Sequence, residues 1–166
     1  ALGELKSFDG IAEGVENTNY KITTTSGDYI LTLFEGRMNT ADLPFYLGFM
    51  NHVKEKGLPA PGVVPAINGA LFIPLKNISA SITTFLKGSW PRTPALTHVA
   101  SVGDLAARLH MAGKDFKGHR ANTLGLPEWR RLIEACDHKA DDLEPGLAGQ
   151  LQCELSWLEN SAPALK

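Results

Sequence analysis

The 166-residue sequence predicts an α+β fold: an antiparallel sheet of five or six strands with one helix, followed by the first helices of a helical lobe. Three observations predict it. Short runs with strand periodicity are separated by turn chemistry. One long segment with apolar residues at helical spacing interrupts those runs. The strand signals then stop near residue 88, and the later periodic segments are helical.

Taken in order, a strand-like run leads into the small, polar stretch from Gly10 to Tyr20, and Tyr20 to Thr25 and Asp28 to Glu35 follow as strands. Ser26-Gly27 between them is hairpin-turn chemistry. From Thr40 to Lys56, Leu43, Leu47, Met50 and Val53 recur at helical spacing, Pro44 suits a first turn, and Gly57 supplies the stop. Gly62 to Ile67, Ala70 to Leu75 and Ser79 to Phe85 read as three more strands, with Asn68-Gly69 as the turn between the first two. Pro91 and Pro94 stiffen the approach to a helix from Leu96 to about Ala112. Past a polar, glycine-dotted stretch, Pro127 to Lys139 and Gly146 to Leu158 read as two amphipathic helices.

The loop Gly10-Ile11-Ala12-Glu13-Gly14-Val15-Glu16-Asn17-Thr18-Asn19-Tyr20 is the feature most suggestive of chemistry. It joins two strands through small residues that let backbone amides approach a phosphate. Its G-x-x-x-G spacing is not the G-x-G-x-x-G of protein kinases, and no Gly-Lys-Ser/Thr follows, so the spacing by itself also fits a plain hairpin loop. Thr83-Thr84-Phe85-Leu86 ends the last strand. Backbone groups at such a strand end can copy base pairing to an adenine edge while Ile82 and Leu86 sandwich the ring. The alternative is an edge strand running into a loop. Just beyond, Trp90 and Arg92 fit either a cleft, where a guanidinium would grip carboxylate or phosphate, or a proline-rich connection anchored by the indole.

These segments resemble the amino-terminal half of a homoserine kinase of the aminoglycoside-phosphotransferase and choline-kinase superfamily, which is protein-kinase-like. Gly10 to Tyr20, Tyr29 to Glu35, Ala41 to Gly48 and Ile82 to Arg92 carry the resemblance in the family's order, and Leu105-Ala-Ala-Arg-Leu-His110 is similar to the superfamily's Leu-His helix. The resemblance implies a nucleotide-binding lobe with its hinge over residues 1–88 and a partial helical lobe over residues 89–166 that lacks the catalytic segment. It implies an enzyme that moves the γ-phosphate of ATP to the hydroxyl of homoserine, in threonine biosynthesis. Gly14, Glu16, Asn17, Thr18 and Asn19 would cover the phosphates, with Thr32 beside them. Thr84, Phe85 and Leu86 would hold adenine, and Trp90 and Arg92 would face the substrate. ATP and Mg2+ are the implied cofactors, with the metal ligands outside this chain.

The sequence departs from the superfamily in two places. Thr32 stands where the third strand usually offers Lys or Arg, and Arg37 is the nearest cation beyond it. No catalytic Asp is assignable: His119-Arg120-Ala121-Asn122 superficially resembles a kinase catalytic loop, but Ala121 occupies the position of the base. Two alternatives therefore stand beside the homoserine reading. One is a kinase for choline, an aminoglycoside or another small hydroxyl substrate; the other is a non-catalytic nucleotide-binding module.

Composition bounds the partners. A formal net charge of -2 gives no electrostatic reason to expect nucleic acid or an anionic membrane. Cys136 and Cys153 have no close cysteine partner, so free thiols are expected, and the chain shows neither a leader nor a run of about 18 apolar residues. A cytoplasmic protein is the expectation. Apolar positions such as Leu151, Leu155 and Leu158, left uncovered by a missing half, would make a homodimer reasonable. His110 is expected as a hydrogen-bonded structural histidine, and the acidic cluster Asp137, Asp141, Asp142 and Glu144 as a solvated junction.

Overall fold

The computed structural model describes residues 2–12, 16–35, 39–89 and 91–161. It divides into two compact units, residues 1–120 and residues 121–166.

Among the described residues of the first unit, six strands form one antiparallel sheet: β1 (Leu5–Ile11), β2 (Asn17–Thr24), β3 (Gly27–Phe34), β4 (Val63–Val64), β5 (Ile73–Leu75) and β6 (Ile78–Thr84). The order is β1-β2-β3-β6-β4, and β5 also pairs with β6. Two short strands thus share one edge of β6, with Val63 opposite Thr83 and Ile73 opposite Ala80. Both are shorter than their sequence runs. Pro65 has no N–H to continue the ladder. The chain instead turns, with Gly69 at φ +83° donating its N–H to Ala66 at 2.8 Å. At the other side of the sheet, β1 lies at the edge, and its pairing with β2 shifts register between Leu5 and Ser7.

The β2–β3 hairpin closes on Thr25 and Ser26, with Thr24 opposite Gly27. The Thr24 hydroxyl accepts from the Ser26 N–H at 3.1 Å and donates to the Gly27 carbonyl at 3.0 Å, so a side chain braces the turn.

Helix α1 (Leu43–Glu55) follows a single 3-10 turn, Thr40–Asp42, which begins where the Asn39 side chain accepts from the Ala41 N–H at 3.1 Å. Leu43 and Leu47 are buried with Val63, and Phe34, Met50, Leu71 and Phe72 pack around them. A second cluster joins Val53, Leu58 and Ala112, flanked by Phe49, Ala60 and Leu109. It seats the end of α2 (Leu96–Gly113) on α1. The expected inward face of α1 is therefore the observed one, and the helix ends where Gly57, at φ +81°, adopts a left-handed backbone.

Polar contacts lock the same junction. His52 Nε2 lies 2.9 Å from the Ala112 carbonyl and 3.1 Å from Asp115 Oδ1, two acceptors that place the ring proton on this nitrogen. The Lys56 ammonium donates to the other Asp115 oxygen and holds the Asp115 carboxyl below its ordinary pKa, a shift that desolvation opposes. Phe45 and Phe49 each meet Phe116 edge to face nearby, with ring centroids 5.6 and 5.1 Å from it. By contrast, Leu96 and Val102, nearer the start of α2, are 87% and 67% exposed. His110 is also exposed and its side chain has no hydrogen bond among the described residues, which corrects the expectation of a bonded structural histidine. Of the two α2 histidines, His98 is the one whose side chain is bonded, accepting from the Ala95 N–H at 3.0 Å through Nδ1 at the helix start.

In the second unit, α3 (Leu126–Cys136) packs on α4 (Leu147–Ser161), and a 3-10 stretch connects them. Leu155 is buried and Leu151 and Leu158 are half-buried, so the apolar α4 face expected to lie open is largely covered. Asp141 of the acidic cluster accepts from the Ala148 N–H at 2.9 Å. Cys136 and Cys153 are free thiols at the surface. Among the described residues no helix is long and apolar enough to cross a membrane.

Two outcomes test this packing. Leu43→Ala removes a side chain that is 0% exposed, and urea denaturation should show a loss of about 2–5 kcal/mol. Because the Asp115 carboxyl is depressed in the folded state, its contribution is present above the unfolded value of about 3.9 and is lost as pH falls through the lower folded value. Melting curves should therefore show the wild type exceeding Asp115→Asn near neutrality, with the gap closing on acidification.

Candidate functional site

Strand periodicity sorts the sheet into two faces. Register places Asn17, Phe34 and Ser79 in one row, Asn19, Thr32 and Ser81 in the next, and Lys21, Ile30 and Thr83 in a third. Because successive side chains alternate, all three rows share a face, and Phe34 identifies it as the face that α1 covers. The row nearest the β1–β2 loop begins with Asn17; Phe85 and Lys21 occupy the end nearest the strand exit.

This face is polar but short of charge. The Thr32 hydroxyl donates to Asn19 Oδ1 at 2.8 Å. Asn19 Nδ2 sits 3.5 Å from the Asn17 carbonyl, at the limit of a hydrogen bond. Asn17 Oδ1 and Ser81 Oγ are buried with no hydrogen-bond partner among the described residues. Buried polar atoms without partners are costly. Lys21, the cation that β2 adds to this face, is engaged elsewhere: its Nζ is 3.6 Å from Asp28 and 4.7 Å from the centre of the Phe85 ring.

The expected site residues are only partly brought together. Asn17, Asn19 and Thr32 converge, whereas Thr18 projects to the opposite face, where its hydroxyl donates to Glu35 Oε2 at 2.8 Å. Glu16 is exposed at the loop end. At the strand exit, the Thr84 hydroxyl accepts from the Gly62 N–H at 2.9 Å, and the Thr84 N–H donates to the Gly62 carbonyl at 2.9 Å. The Phe85 N–H donates to the Asp28 carbonyl at 3.2 Å. Both amides are therefore used within the sheet, and Leu86, 48% exposed, is the next residue able to offer one. Arg92 is exposed. Gly14, Arg37 and Trp90 lie outside the described residues.

Some residues that shape the face were not singled out by the sequence reading. Lys21 and Ser81 belong to it by register, and a two-residue alternation from Asn17 through Asn19 to Lys21 was the available signal. Arg120, within the segment that superficially resembles a catalytic loop, bonds Asp42 at 2.7 Å and lies 5.2 Å from the Tyr46 ring. It ties the residues after α2 to the start of α1, and Asp42 raises its pKa further. A trough of about 1120 Å³ is lined by Tyr29, Val64, Ile67 and Ile82, and Ser81 of the polar rows also borders it.

Comparison with known proteins decides the family. The sequence pattern described as "Phosphotransferase enzyme family" matches residues 7–166. The chain belongs to that phosphotransferase family. A homoserine kinase of Acidiphilium cryptum is 47% identical over 154 residues, 93% of this chain and 48% of the relative. One from Brucella ovis is 45% identical over 163 residues, 98% of this chain and 50% of the relative. The chain thus spans about half the length of the curated relatives it matches. Two solved structures share the phosphotransferase fold at 14% identity. A spectinomycin phosphotransferase in complex with ADP and spectinomycin superposes with a TM-score of 0.59 over 82% of this chain and 43% of its own. An aminoglycoside phosphotransferase from Alicyclobacillus acidocaldarius gives 0.60 over 93% and 50%. The antiparallel sheet and its helices therefore form the kinase-like phosphotransferase fold, as the sequence resemblance implied.

The hydrogen bonds at Thr84 give this site a structural prediction. Thr84→Val leaves the Gly62 N–H without its acceptor, and chemical denaturation should register a loss of about 1–3 kcal/mol.

Proposed function

We propose that this chain is the nucleotide-binding part of an ATP-dependent homoserine kinase. The observation that carries the reading is the 47% and 45% identity to homoserine kinases across 93% and 98% of the chain. The α1 face supports it. Its polar rows adjoin the β1–β2 loop, while Lys21, Ile30 and Phe85 lie toward the strand exit. A nucleotide with its base toward Leu86 and its phosphates toward the β1–β2 loop would lie along that line.

The residues fit the nucleotide better than they fit its metal. Asn17 Oδ1 and Ser81 Oγ are unused polar atoms, and the Leu86 amide is suited to an adenine edge. Among the described residues, no group of three or more His, Cys, Asp or Glu side chains could hold a metal ion. Magnesium ligands and the base that accepts the homoserine hydroxyl proton are assigned to sequence that the longer relatives contain and this chain does not. ATP would supply the γ-phosphate. The chain's part is to bind and orient that nucleotide, with the lobe and hinge over residues 1–88 doing so and Arg92 assigned to the amino-acid substrate.

Coupled turnover assays on the full-length polypeptide carrying this chain test the proposal, with homoserine, serine, choline and an aminoglycoside offered in turn. Selective ATP-dependent phosphorylation of homoserine is the expected result. Preference for choline or an aminoglycoside would replace the substrate, and ATP binding without turnover on any of them would favour a non-catalytic module.

A further inference from the structure

We infer that Thr32 is a positioning residue, which aims the Asn19 carboxamide so that its neutral N–H donors hold the nucleotide phosphates where a charged side chain would otherwise do so. This rests on the nucleotide-binding reading above and adds a residue-level assignment to it. Asn19 and Thr32 face each other in register on β2 and β3, and the Thr32 hydroxyl reaches Asn19 Oδ1 at 2.8 Å. The neighbouring main chain fixes which way round the amide lies. Asn19 Nδ2 is the atom near the Asn17 carbonyl, 3.5 Å away, and a carbonyl can only accept. The oxygen must then face Thr32, whose hydroxyl serves as donor.

That arrangement leaves the amide's donor capacity underused. A carboxamide nitrogen offers two N–H groups, and the single acceptor near this one lies at the outer limit of bonding distance. The contact also sets a direction: the nitrogen points along β2 toward Asn17 and the β1–β2 loop, while the oxygen is turned to β3. Lys21 cannot serve the same spot while it is held at the strand exit by Asp28 and Phe85. A neutral donor whose orientation is fixed in advance binds anionic oxygens at low entropic cost, although more weakly than an ammonium would.

The experiment measures ATP and AMP affinity calorimetrically for the full-length polypeptide carrying this chain, alongside Asn19→Ala, Thr32→Val, Thr32→Ser and the Asn19→Ala/Thr32→Val double variant. Asn19→Ala and Thr32→Val should each weaken ATP binding by about 2- to 12-fold, the range for one neutral hydrogen bond. The double variant should be no worse than Asn19→Ala, since both act through one group. Thr32→Ser keeps the donor and should bind ATP as the wild type does, and AMP affinity should stay within a factor of about two throughout, because fewer phosphate oxygens are engaged. The Asn19 side-chain amide resonance should shift in Thr32→Val and not in Thr32→Ser before any nucleotide is added. Unchanged ATP affinity in Thr32→Val, or an equal loss of ATP and AMP, overturns the assignment while the nucleotide-binding reading stands. A wild type that binds neither nucleotide overturns both.

Discussion

Helix α1 is buried on two sides, and the arrangement of the first unit depends on that. Its Leu43 and Leu47 enter the sheet-side cluster, while Val53 and Phe49 enter the cluster that receives the end of α2. A helix with one apolar stripe would leave one of these neighbours without a seat. Leu43 and Leu47 are four positions apart and share one stripe, as do Phe49 and Val53, and the six-residue offset between the pairs turns the second stripe about 120° round the helix; the polar side of the second junction is closed by His52, Lys56 and Asp115. Aromatic packing between Phe49 and Phe116 extends the same contact beyond the helix end. The position of the sheet's polar rows relative to α2 thus follows from a 13-residue element.

On the nucleotide-binding reading proposed above, the covered sheet face would meet phosphate with neutral groups. A desolvated phosphate is normally met by a cation, since opposite charges interact strongly away from water. Here small polar groups, Asn17, Asn19, Thr32 and Ser81, share the face with Ile30 and Phe34. Neutral hydrogen-bonding groups avoid the desolvation cost that a buried ammonium incurs when the nucleotide leaves. The unpartnered Asn17 Oδ1 and Ser81 Oγ carry a desolvation cost of their own.

Much of this architecture was legible in sequence because helices and strands advertise their periods. Leu43, Leu47, Met50 and Val53 announced α1, and Ser26-Gly27 between two strand-like runs announced the hairpin, which closes one residue earlier, on Thr25 and Ser26. The resemblance to homoserine kinases located the loop and the strand exit. What it could not locate was direction. Thr18 sits between Asn17 and Asn19 in sequence yet points the other way, because neighbouring strand side chains face opposite sides. Thr84 looked available for a base until its pairing with Gly62, twenty-two positions away, was known. Ser81 entered only through register with β3, which no local pattern specifies. Arg120 illustrates the reverse case: it lies in a segment that superficially resembles a catalytic loop, and its bond to Asp42 is structural.

The uneven edges of the sheet bear on how the protein behaves when many copies are crowded together. On one side, β4 and β5 divide the border into pieces of two and three residues, too short to template a neighbour's strand. The opposite border is the seven-residue β1, long enough to invite such pairing. Its register shift between Leu5 and Ser7, with Lys6 at the irregularity and Asp9 further along, interrupts a flat run of hydrogen-bonding groups. An incoming strand would have to bury a charge or match the kink, so the fold carries its own resistance to forming fibrils.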